Sequence, residues 1–107
     1  MLQAKIDTAA SGDNTIVAAQ AGRKIRVVNY VMVAAGAVTA QWKDGATALT
    51  GAMTMATGVP NQSGYSSVRG VGAGYDGHFD TSQGAALVLT LGGNIQVSGW
   101  VNYILVP

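Results

Sequence analysis

The chain has no cysteine and no glutamate, a single histidine, two prolines, and a charged fraction of only 10%. Without cysteine there can be no disulfide and no thiolate metal site, which fits a protein assembled in a cytoplasm. An average soluble protein is about 25% charged. This chain therefore has too few charges to solvate its whole surface, and part of that surface is expected to meet another protein. The net charge of +1 is too small to draw in nucleic acid or an anionic membrane, so neither is expected as a partner. The one basic cluster, Arg23, Lys24 and Arg26, stands at the mouth of an expected strand and reads as a solvated strand end. No segment approaches the roughly 18 uninterrupted apolar residues of a membrane span. The opening MLQAKIDTAASGDN carries no apolar run of signal-peptide length, so a soluble protein without a cleaved export signal is expected.

What is abundant is glycine, 15 residues of 107, and apolar residues at 49%. A chain of this length makes one domain, hiding roughly 65% of the surface of its unfolded form. The periodicity is β almost throughout. NTIVAA (Asn14 to Ala19) is a short apolar run, and IRVVNYVMVAA (Ile25 to Ala35) is dense in β-branched and aromatic residues, too evenly apolar for an amphipathic helix. In AVTAQWKDG, Val38, Ala40 and Trp42 alternate with Thr39, Gln41 and Lys43, and Asp44-Gly45 is a strong hairpin signal. ATALTG and AMTMATG read as edge strands or irregular crossings. From Val59 to Gly77 a long loop is expected, with one short strand around Tyr65 to Val71. Leu87, Leu89 and Leu91 then line one strand face, and Gly92-Gly93-Asn94 turns the chain into the last strand. That strand carries Ile95, Val97, Val101, Tyr103 and Leu105 on one side and Trp100, Ile104 and Val106 on the other, so its second face also needs cover. Seven to nine short strands with glycine-rich turns predict an all-β, single-domain β-sandwich of the jelly-roll kind. The expected division is an N-terminal arm over 1–11 and the sandwich over 12–107.

Chemistry is sparse. GAGYDG, Gly72 to Gly77, matches the glycine pattern of a dinucleotide loop, but HFDTSQG and an alternating strand follow it where a helix N-terminus is required. In an extended segment Asp76, His78 and Asp80 would share one face, an arrangement able to hold a divalent metal. The simpler reading is a polar strand side with Tyr75, Gly77 and Phe79 turned inward. Asp7, Asp13 and Asp44 are expected in turns, and Ser66, Ser67 and Ser82 sit in no nucleophile elbow. Trp42, Trp100 and Tyr103 lie within apolar alternations and read as packing rather than as a stacking platform. No enzyme activity, cofactor or metal is expected.

The run DNTIVAAQAGRKIRVVNYVMVAAGAVTAQWKDGATALTGAM and the later GHFDTSQGAALVLTLGGNIQVSGWVNYIL resemble a family of small structural proteins encoded in tailed-phage and prophage genomes. The resemblance covers about three quarters of the chain by glycine, turn and core positions, and the family offers no catalytic residues to carry over. It implies a virion protein assembled in the host cytoplasm, foremost a capsid decoration protein bound to the major capsid protein as a homotrimer. The alternative is a head or tail fibre module that binds a host glycan or receptor. Partner contacts are expected in the arm, at Leu2, Lys5, Ile6 and Asp7, and in the long loop region, at Tyr65, Arg69 and Tyr75. Trp100 and Ile104 are expected at a subunit interface.

Overall fold

The computed structural model describes residues 2–55, 65–68 and 77–107, the middle segment by its backbone. Among these residues ten strands appear: β1 (Leu2–Thr8), β2 (Gly12–Val17), β3 (Lys24–Ala34), β4 (Val38–Asp44), β5 (Thr47–Ala48), β6 (Met53–Met55), β7 (Tyr65–Val68), β8 (Phe79–Asp80), β9 (Leu87–Leu91) and β10 (Val97–Val106). They form two antiparallel sheets. The first runs β1-β10-β3-β7, with β8 also on β3, and the second runs β2-β9-β4-β5, with β6 also on β4. Because β5 and β6 share β4, and β7 and β8 share β3, the ten strands fill eight positions. Strands β1 to β4 alternate between the sheets and β9 and β10 do so again, which is the wrapping of a jelly roll. The expected β-sandwich is the observed fold.

The core sits between the sheets. Strict alternation in β4 sends Val38, Ala40 and Trp42 inward, and β9 supplies Leu87, Leu89 and Leu91. From the first sheet come Ile25, Val27, Met32 and Ala34 of β3 with Val97 and Val101 of β10. Trp42 is fully enclosed, with Tyr30 edge-on at 5.3 Å between ring centroids and Phe79 at 6.4 Å. Phe79 therefore points inward, as its alternation implied. The Asp44-Gly45 signal closes a hairpin whose loop residues are Gly45 and Ala46, since Asp44 itself pairs with Thr47. Gly92 to Asn94 do make a turn, one that carries the chain across from the second sheet to the first.

One boundary changes. The segment expected as a free arm is β1, paired to β10 without a break from Leu2↔Tyr103 to Thr8↔Val97. Ile6 is 1% exposed in the core. The pattern was present, with Leu2, Ala4, Ile6 and Thr8 alternating against Gln3, Lys5 and Asp7. Ala and Thr make it faint, and what completes the strand is the open edge of β10, a long-range feature. Asp7 and Asp13, expected in turns, lie in β1 and β2, and Asp44 is the last residue of β4. The long-loop region contributes β7 as a short strand on β3.

Candidate interaction face

Antiparallel register decides which side chains share a face, because directly opposed residues project to the same side. Across the first sheet the outward rows are Lys5–Trp100–Val31 and Asp7–Ser98–Val33. Further along come Gln3–Asn102–Asn29, then Ile104–Arg26–Asp80 and Val106–Lys24. Five apolar groups stand on the two central strands of this face. Val33 is 43% and Trp100 36% exposed, and Val31, Ile104 and Val106 are half-buried. Charges stand at its margins, Lys5 and Asp7 on one side and Lys24, Arg26 and Asp80 on the other. In the middle Asn102 Nδ2 donates to Asn29 Oδ1 at 2.8 Å, tying the two central strands together between the apolar groups.

The outward face of the second sheet is of the opposite character. Its register brings up Thr39, Gln41 and Lys43 of β4, Thr90 and the buried Val88 of β9, and Asp13 and Thr15 of β2. Thr90 donates to Asp13 Oδ1 at 2.6 Å, and Lys43 Nζ stands 3.6 Å from the same oxygen. The Thr90 hydroxyl, ahead of Lys43, holds the Asp13 carboxyl below its ordinary value. One outward face is thus almost wholly polar, while the other carries five apolar side chains, two of them exposed, among its polar ones. The difference marks the first sheet as the candidate interaction face.

Arg26 grips Asp80 bidentately, Nε to Oδ1 at 2.7 Å and Nη2 to Oδ2 at 2.9 Å. This pairing takes a carboxylate away from the metal set weighed in the sequence. Among the described residues no three His, Asp or Glu side chains gather as ligands; His78 is exposed and Asp76 lies outside the described residues. Gly77 has a packing reason to be glycine. At φ +65° a Cβ there would stand 2.6 Å from Arg26 Cγ and 2.8 Å from the Val27 carbonyl oxygen. The hydrogen bonds from Arg26, more than burial opposes, keep the Asp80 carboxyl below its ordinary value of 3.8. A depressed folded pKa contributes stability above the ordinary value, and that stability is lost as pH falls through the depressed one. Asp80→Asn is expected to lower stability near neutral pH by about 0.5–1 kcal/mol, the scale of a partly exposed pair. The gap between wild type and variant should narrow as pH falls below the ordinary carboxylate value and close once it has passed through the depressed folded one, as read by urea melts at each pH.

The other polar groups are spoken for by the fold. Asp44, 7% exposed, accepts from the Ser82 N–H and hydroxyl, both at 2.8 Å, fastening the end of β4 to the turn before β9. An open cleft of about 430 Å³ between β1 and β2 is lined by Lys5, Asp7, Thr8 and residues 13–16. Its polar atoms are engaged locally: Thr8 Oγ1 donates to Asn14 Oδ1 at 2.6 Å and Gln96 Nε2 to Asp7 Oδ1 at 2.7 Å.

The residues expected to bind partners are redistributed. Lys5, Asp7, Trp100 and Ile104, read as belonging to two different surfaces, share the outward face of the first sheet. Leu2 is 46% exposed at the start of β1. Ile6 is removed from the set because it fills the core. Tyr65 pairs with Val33 in β7, its side chain lying outside the described residues, as do Arg69 and Tyr75. Val31 and Val33 were missed as surface residues. The signal was available, since IRVVNYVMVAA is apolar on both faces and a two-sheet core consumes only one. Comparison with protein-family models, with curated proteins and with solved structures finds no match to this chain.

Proposed function

We propose that the protein is a virion structural component of a tailed phage, a decoration protein that binds the outside of the head and stabilises it. The observation carrying this reading is the apolar outward face of the first sheet, Val31, Val33, Trp100, Ile104 and Val106, set against the polar outward face of the second. A rigid jelly roll with one such face works by adhesion. Seated across neighbouring subunits of the major capsid protein, it adds contacts that must break before the shell opens. About 800 Å² per partner is enough for a stable association. The face expected from the sequence to make a three-fold subunit contact is assigned instead to the head, with Trp100 as its central anchor. Large aromatics that fill a partner's pocket carry most of the energy at such contacts.

Trp100→Ala tests the assignment. Trp100 projects from the sheet rather than into the core, so the isolated protein should lose no more than about 1 kcal/mol, near the scale of surface changes. Affinity for undecorated heads, measured by co-sedimentation across a concentration series, should fall at least about 30-fold, the equivalent of a hot-spot loss of 2 kcal/mol. Full occupancy by the variant would remove the face from the contact. Binding to host cells in place of heads would make the protein a fibre module.

A further inference from the structure

A jelly roll leaves four sheet edges open to strand addition, and among the described residues three of them are broken up. Strand β2 pairs with β9 across a register shift between Thr15 and Val17. The positions beside β4 and β3 are filled by pieces of two and three residues (β5, β6) and of four and two residues (β7, β8). Bulges and short strands are the usual protection of an edge. Strand β1 has neither. Its seven residues pair with β10 in unbroken register, it contains no proline, and among the described residues β10 is its only partner strand. Its other edge is a template for pairing.

The charges on that edge name the occupant. Lys5 and Asp7 are the charged residues of β1; they stand on one face, their charged atoms 4.0 Å apart, with side chains 83% and 59% exposed. We infer that β1 pairs antiparallel with β1 of a second copy about a two-fold axis at Ile6, continuing the first sheet from one protomer into the next. In this register Lys5 lies opposite Asp7 of the second copy and Asp7 opposite Lys5, with Ile6 facing Ile6 on the core side. The four charges form an alternating square. Shifting the pairing by two residues either way keeps the faces matched but sets Lys5 against Lys5 or Asp7 against Asp7. Like charges directly opposed across strands are destabilising, so the sequence selects one register. The exposed Leu2 lies on the same edge, where residues flanking β1 of the second copy would approach it. The contact leaves the outward face of the first sheet open, and the inference does not rest on the head-binding reading.

Charge reversal provides the test, in sedimentation velocity of the purified full chain without heads. Wild type is expected to form a species of twice the 10.8 kDa chain mass. Lys5→Asp sets two carboxylates against each other at both symmetry-related positions, and Asp7→Lys does the same with two ammonium groups. Each should weaken the dimer by about tenfold or more. The double variant Lys5→Asp/Asp7→Lys restores opposite charges in the same register and should return the dissociation constant to within about threefold of wild type. Both side chains project into solvent, so thermal melts at concentrations low enough to keep all four proteins monomeric should agree within the small effects of surface changes and separate association from folding. A wild type that stays monomeric at about 100 μM, far above the affinity range of specific complexes, would overturn the inference. So would a trimer indifferent to the reversals, or a double variant as weak as the singles. Head binding is scored separately through Trp100→Ala, so either reading can fail alone.

Discussion

Gly99→Ala is expected to cost at least about 3 kcal/mol, the upper range for forcing an extra group into a filled site, and to leave little folded protein at 37 °C. Gly99 is the third residue of β10, with φ +150°, a backbone conformation that residues with a Cβ rarely adopt. It is opposed by Ile6 on one side and Met32 on the other. A Cβ at this position would overlap the Val31 carbonyl oxygen, 2.8 Å from the carbonyl carbon and 3.1 Å from Met32 Cα. These are backbone atoms of the neighbouring strand, so no rotamer change relieves the clash. The first sheet must open at its central pair, with Val97 and Val101, fully buried on either side, pulled from the core. Gly93→Ala is the control, since nothing lies within 4 Å of the added carbon there, and it should stay within about 0.5 kcal/mol of wild type. Urea unfolding of both variants measures the contrast. Equal midpoints would show that β10 and β3 can separate at Gly99 without loss.

Removing residues 1–8 should be at least as damaging. A docking arm could be cut away from a sandwich that remains folded. Strand β1 cannot, because it closes one side of the first sheet and places Ile6, 1% exposed, in the core with Ala4 packed against it. Emptying the isoleucine site alone costs about 2–5 kcal/mol. The deletion also strips β10 of the seven residue pairs it makes with β1, exposing a ten-residue apolar strand as a new edge. A small domain has about 5–15 kcal/mol of stability in total. The truncated chain is expected to lose its near-UV circular dichroism, bind a hydrophobic dye and aggregate through the bared edge of β10. A truncated protein that melts like the full chain would return residues 1–8 to the status of an arm.

Local pattern was sufficient for much of this molecule. Alternation in AVTAQWKD and in ALVLTL placed Trp42, Leu87, Leu89 and Leu91 inward, because a strand with one wet face and one dry face must show period two. The two-sided last strand correctly set Trp100 and Ile104 apart from Val97 and Val101, and the density of short strands and glycine turns implied a sandwich. What these patterns do not carry is pairing. That Lys5, Trp100 and Val31 form one row joins three distant segments, and hydrogen bonds between strands are blind to side-chain identity, so the register appears only when the sheets assemble. The same holds for β1, whose faint alternation became a core strand because β10 offered an open edge. It holds for Gly99 too, where a glycine among 15 is singled out by the carbonyl of a strand some 70 residues earlier in the chain. Composition implied that some surface would stay apolar, since 10% charge cannot clothe a whole domain. Which surface that is was decided by long-range pairing, which sent the polar halves of β2, β4 and β9 to one outer face and the surplus apolar residues of β3 and β10 to the other.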